Sequence, residues 1–244
     1  MYTVIDVETP NSSNDSICSI GLVHVENEVV TSEEYYLVNP ECNFDRMNME
    51  IHKITKAMVK DKPLFPEVWG KISKYFTNGV IVAHNAAFNL NVICKTLKNY
   101  KISIPDIYYL CTLELAILVP DAESHKLSSI CKFLDIELNR QHNSLSDAVA
   151  CQKVFAYINS IKNVTNKDVK IFKFDNSYVR KVDKPTLVKS LNTLYGFITG
   201  IVANRIINES ELQLIEEWVR EYDVKAGVKV PKMECGHFFG LLRR

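Results

Sequence analysis

Four residues near the N-terminus, "DVET", pose the first chemical question. They close a β-rich run from Tyr2 to Val7, and residues two apart on a strand face the same way, so Asp6 and Glu8 point together. Two carboxylates aimed at one spot repel each other unless a cation lies between them, and oxygen-only ligation suits a hard ion such as Mg²⁺ or Mn²⁺. A bare D-x-E is common, so two acids on a solvated strand end is the competing reading. The second stretch, "HNSLSDA", places His142 five residues before Asp147. Ser144 can cap a helix there, which puts Asp147 in the first turn, where the helix dipole alone favours an acid. His142 lies just ahead of that helix, where a base could reach a water beside a metal held by Asp147; a purely structural histidine is the alternative. The third stretch, "HNAAFNL" (His84–Leu90), follows the apolar run "GVIVA" and reads as a strand edge turning into a helix.

These residues need a scaffold to bring them together. Tyr2–Val7, "ICSIGLVHVE" and "VVTSEEYYLV" read as a three-strand antiparallel meander, with "GVIVA" and "DIYYLCT" as further strands. Between and after them, "FPEVWGKISKYF" with Pro66 near its first turn, "NLNVICKTLKN", "LELAILV" and "SHKLSSICKFLDI" read as helices. "SLSDAVACQKVFAYINSI" has Ala148, Cys151, Val154, Phe155 and Ile158 on one stripe, as an amphipathic helix requires. "NPECNFDRMNMEIHKIT" reads as a loop. This order predicts a mixed α/β sheet covered by helices.

Composition narrows the class. With 244 residues, 47% of them apolar, the chain suits one main domain with an appendage and is not disordered overall. Residues 1–160 hold 14 Lys+Arg against 19 Asp+Glu, and residues 161–244 hold 15 against 10. An acidic front and a basic back fit a metal-binding domain with a basic extension, or two ordinary solvated surfaces. The seven cysteines are scattered, form no CxxC and mostly sit in apolar runs, as reduced thiols do. The N-terminus lacks the basic-then-apolar run of a signal peptide and no stretch is apolar enough to span a membrane, so a cytosolic protein is expected.

Taken together and in order, "DVET", "HNAAF" and "HNSLSDA" resemble the motifs of the DEDDh 3′–5′ exonucleases. That superfamily includes the epsilon subunit of bacterial DNA polymerase III and the ribonuclease T group. "CSIGLV", "NPE" and "IHKIT" look like that family's connecting text, and the resemblance covers residues 1 to about 160. It implies a ribonuclease-H-like fold with a five-stranded mixed sheet. It also implies hydrolysis of single-stranded nucleic acid from its 3′ end, DNA favoured, using two divalent ions, Mg²⁺ or Mn²⁺. Carried over by motif, Asp6, Glu8 and Asp147 match three acids of the metal cluster, and His142 matches the general base. Thr9, His84, Asn85 and Phe88 match residues that receive the terminal nucleotide, with His52 near the substrate; packing or capping would equally explain each.

One position departs from the pattern. Asn89 stands where the family has its fourth acid. Asparagine keeps the shape and one carbonyl oxygen, loses the charge and adds an NH₂ donor that cannot face a metal. Weaker binding of the second ion and slower chemistry are expected. A substitution made to trap substrate, a natural variant of reduced activity, and a catalytically inactive nucleic-acid-binding or scaffold protein all fit. The retention of Asp6, Glu8, His142 and Asp147 argues against long decay. Asn91 carries no charge and Asp106 reads as a turn residue, so neither replaces the acid.

The expected domains are residues 1–163 as the exonuclease domain, 164–185 as a basic linker and 186–244 as a helical hairpin appendage. The linker's Lys167, Lys170, Lys173, Arg180, Lys181 and Lys184 could track phosphates or simply be solvated, and "VKIFKF" could hold a strand. The hairpin could dock a replication or repair protein or cover the sheet. No membrane contact is expected.

Overall fold

In the computed structural model, the residues described are 1–119, 124–138 and 141–178. Their order is β1 (Tyr2–Glu8), β2 (Ser19–Glu26), β3 (Val29–Leu37), α1 (Arg46–His52), α2 (Lys56–Val59), α3 (Phe65–Thr77), β4 (Val80–Ala83), α4 (Ala86–Asn99), β5 (Tyr108–Cys111), α5 (Thr112–Leu115) with a 3₁₀ turn Ala116–Leu118, α6 (Leu127–Phe133), α7 (Ser144–Lys162) and β6 (Lys170–Ile171).

β1 lies inside the sheet β3-β2-β1-β4-β5-β6. It pairs antiparallel with β2 and parallel with β4. Alternation along β1 feeds two cores. Ile5 and Val7 face a cluster built with Phe65, Ile72 and Phe76 of α3 and Leu90, Ile93 and Leu97 of α4. Val4 faces the opposite side, with Ala148, Cys151 and Phe155 of α7. Asp6 and Glu8 share the parity of Val4 and therefore point toward α7. All five expected strands of a ribonuclease-H-like mixed sheet are present, and a sixth, β6, forms within "VKIFKF" by antiparallel pairing with β5.

Three local expectations change. The stretch expected as a loop after β3, which ends at Thr55, contains α1, and α2 follows it. Seven residues are too few for a helix to persist by propensity. α1 is held instead by tertiary bonds, with Asn48 and His52 both reaching Thr9, and it ends at left-handed Lys53 (φ 62°). The cap of α7 is Asn143, not Ser144: the Asn143 side chain accepts from Ser146 N–H, while Ser144 is helical and buried, its hydroxyl 3.0 Å from that of Ser19. The compact unit runs from Met1 to Tyr178, beyond the expected boundary at 163. Val164 and Val169 pack on the α7-side core, and Phe172 and Phe174 on the other. The expected hairpin at 186–244 and the basic residues Arg180, Lys181 and Lys184 lie outside the described residues.

Candidate active site

The site forms where the end of β1 meets the start of α7. Gly21 of β2, paired with Asp6, is what lets the helix come so close. A Cβ on Gly21 would stand 2.4 Å from backbone atoms of Ser144 and Leu145. Glycine inside a strand marks such backbone approaches, so "CSIGLV" carried a signal for this contact. With α7 seated there, Asp147 in its first turn is buried (8% exposed). Its Oδ2 accepts from the His142 main-chain N–H at 2.8 Å. Its Oδ1 is buried without a hydrogen-bond partner among the described residues.

Three side chains converge: one ligand atom each from Glu8, His142 and Asp147 lie within 4.8 Å of one another. Asp6 sits beside them rather than within that set, close enough to feel both neighbouring charges. Burial, then the charges of Glu8 and Asp147, hold its carboxyl well above the usual range. Burial and the Asp147 charge push Glu8 up to about 8. Burial raises Asp147 too, offset in part by the His142 N–H and imidazole. Three crowded acids that resist ionisation, with an orphaned oxygen among them, form a site that a divalent cation fits: the ion supplies the missing partner and relieves the repulsion. His142 is a left-handed residue (φ 65°), and it is exposed.

Asn89 lies 2% exposed on α4. Its Oδ1 accepts from Val7 N–H at 3.0 Å, and its Nδ2 donates to the His84 carbonyl at 3.1 Å. One contact requires an oxygen and the other a nitrogen, so the amide orientation is fixed by its partners. Asn89 thus ties β1 to the turn after β4.

The remaining sites predicted from sequence divide into exposed and engaged groups. Asn85, left-handed at φ 57°, and Phe88, 38% exposed, stand open at the start of α4. The His84 Nδ1 lies 3.0 Å from the Thr112 hydroxyl, and burial lowers its pKa to about 4, so its ring is neutral at physiological pH. Thr9 is buried, and its hydroxyl donates to Asn14 Oδ1. Both nitrogens of His52 are engaged. Nδ1 accepts from Ile54 N–H, which leaves the proton on Nε2 for the Thr9 carbonyl at 3.1 Å. His52 is thereby bonded to the Thr9 main chain. Asn48, whose amide donates to the same carbonyl and to the Thr9 hydroxyl, had no sequence signal.

Residues 3–155 match the RNase_T exonuclease family. The chain belongs to that family. Over this exonuclease domain the chain is similar to several named bacterial proteins. The chain is 32% identical over 157 residues to a PolC-type DNA polymerase III of Caldanaerobacter subterraneus subsp. tengcongensis, covering 63% of this chain and 11% of the polymerase. It is 28% identical over 173 residues to the DNA polymerase III subunit epsilon of Buchnera aphidicola subsp. Baizongia pistaciae, covering 65% of this chain and 71% of that subunit. The match thus spans only a small part of the PolC-type relatives. Among solved structures, Exonuclease X in complex with 5′ overhanging duplex DNA aligns with a TM-score of 0.55 at 23% identity, covering 69% of this chain and 96% of that one. The nuclease domain of 3′hExo, a DEDDh family member bound to rAMP, aligns at 0.58 and 14%, covering 71% and 96%. These likenesses establish the ribonuclease-H-like exonuclease fold.

Proposed function

We propose that this exonuclease-family chain hydrolyses phosphodiester bonds at 3′ ends of single-stranded nucleic acid in the cytoplasm, with DNA favoured, and that Asn89 slows it. The observation that carries the reading is the convergence of Glu8, His142 and Asp147, with Asp6 beside them and Asp147 Oδ1 buried and unpartnered. The relatives named as DNA polymerase III support DNA as substrate and a replication partner.

Asp6, Glu8 and Asp147 would hold two divalent ions, Mg²⁺ or Mn²⁺, which stabilise the developing phosphate charge and make water a nucleophile at neutral pH. His142 takes the proton of the attacking water, its position fixed by the main-chain bond to Asp147. Asn85 and Phe88, exposed at the mouth of α4, together with Thr9 and neutral His84, receive the terminal nucleotide. His52 holds Thr9 in place. Asn89 offers an oxygen already committed to Val7 and a donor turned to His84, so it adds no charge for the second ion.

The test is a time course on a labelled single-stranded oligonucleotide with Mn²⁺. Cleavage should proceed from the 3′ end and stop in chelator. His142→Ala should reduce turnover by about 100-fold or more while sparing binding, the scale expected for a general base. Oligonucleotide binding that persists in chelator, with no cleavage by this chain or by Asn89→Asp, would replace the reading with a nucleic-acid-binding protein that has kept the fold.

A further inference from the structure

Residues 164–178 lie past the family match, which ends at 155. They nonetheless run over the domain to the loop that follows the "DVET" strand. Phe172 N–H donates to the Ile107 carbonyl, and Phe172 and Phe174 pack against the α4-side core. Lys98 Nζ donates to the Asn176 carbonyl. Lys95 Nζ lies 5.1 Å over the Tyr178 ring. The Tyr178 hydroxyl donates to Asp15 Oδ2 at 2.7 Å.

Asp15 sits in the β1–β2 loop, whose two ends are tied where Cys18 N–H donates to the Glu8 carbonyl at 2.9 Å. It is only 4% exposed. Asn99 Nδ2 holds its carbonyl at 2.8 Å. The preceding residue, Asn14, is left-handed (φ 50°) and accepts the Thr9 hydroxyl. A carboxylate this deep stays inside only while strong donors serve it. The Tyr178 O–H is such a donor, and it comes from outside the loop.

We propose that Tyr178 is a positioning residue for the 3′-end pocket. Through Asp15 and Asn14 it holds Thr9 in its substrate-ready place, so segment 172–178 is a working part of the site. This rests on the exonuclease reading above for the role of Thr9. Tyr178 acts through the loop and touches neither metal ligands nor substrate.

The test uses the full chain with three variants: Tyr178→Phe, Asp15→Asn and both together. KM and kcat are measured on the 3′-end substrate with Mn²⁺, and amide hydrogen exchange is followed across residues 9–18 and α7. Tyr178→Phe should raise KM by about fivefold with kcat within about twofold, the pattern of lost positioning rather than lost chemistry. Exchange should quicken in residues 9–18 and not in α7. Asp15→Asn keeps an acceptor for the hydroxyl, so Tyr178→Phe should keep its effect in that background. A Tyr178→Phe chain that melts earlier but keeps the parental KM, or that leaves loop exchange unchanged, overturns the proposal. A parent chain without metal-dependent cleavage sinks the exonuclease reading instead, and the latch is then decided by loop exchange alone.

Discussion

At the scale of single residues, the decisive feature is that Asn89 has two jobs that pull apart. In the proposed site it stands where the resembling family has an acid, and it brings no charge. As a structural group its amide accepts from Val7 and donates to His84 and to the Asp6 carboxyl. Asn89→Asp would set a carboxylate oxygen about where Nδ2 now sits, 3.1 Å from the His84 carbonyl, and would add a fourth acid to three that already resist ionisation. In chelator the variant should unfold more easily, by about 1–3 kcal/mol, the usual penalty for a broken buried bond. With Mn²⁺ that deficit should shrink and turnover should rise. A variant equally stable in chelator would mean the His84 bond contributes nothing. The same crowding predicts a pH dependence. A carboxyl whose folded pKa lies above its unfolded value binds more protons folded than unfolded. Stability therefore falls as pH rises from near 4 through about 8 for Glu8. His84, lowered to about 4, works in the opposite sense between there and about 6.5, but equally with or without metal. The gain in melting temperature from Mn²⁺ should accordingly grow from about pH 5 to about pH 8. A gain that is flat with pH would remove the carboxylates from ion binding.

At the scale of elements, the site depends on one contact between β2 and α7. Gly21→Ala places a methyl 2.4 Å from the backbone of Ser144 and Leu145, and backbone has no rotamer to yield. The helix start must move, taking Asp147 and His142 with it. A loss of about 1–3 kcal/mol of stability and at least about tenfold in turnover should follow, read by thermal melting and the Mn²⁺ time course. Retained turnover would mean that the carboxylates do not need this seat. This contact also marks the limit of what the sequence made legible. The strands and α7 were readable because period-2 and period-3.6 patterns record burial directly. Asp6, Glu8, His142 and Asp147 were singled out because three motifs stand together in the order the resemblance to the DEDDh exonucleases implies; a D-x-E alone is too common to do so. α1 was not readable, because a seven-residue helix exists through its bonds to Thr9 rather than through its own pattern. The cap of α7 was misassigned to Ser144 because two capping residues stand side by side, and only the packing of Ser144 on Ser19 decides between them. Nor does spacing reveal that His52 and Asn48 both bond to Thr9, since they meet it across 43 and 39 residues of chain.

At the scale of the whole molecule, the question is where the working unit ends. The drop in periodicity near Asn163 suggested a linker, because a strap lying over finished cores needs only a few apolar residues. It has them: Val164 and Val169 on one core, Phe172 and Phe174 on the other, with Lys170 and Ile171 completing a sixth strand. The paired charges Lys162–Asp168 and Lys170–Glu114 are partly exposed, so they steer the strap more than they stabilise it. Burial of the aromatic and valine side chains carries most of the attachment. A chain ending at residue 163 should therefore be less stable than one ending at 178 by about 2 kcal/mol or more, a conservative figure for losing two partly buried phenylalanines. Urea unfolding of the two chains measures this. The longer chain should unfold in one transition, and the shorter at lower denaturant with cleavage weakened in proportion to the loosened loop at Asp15. Equal midpoints would mean that the strap rests on the surface without supporting it, and the boundary would return to the end of α7.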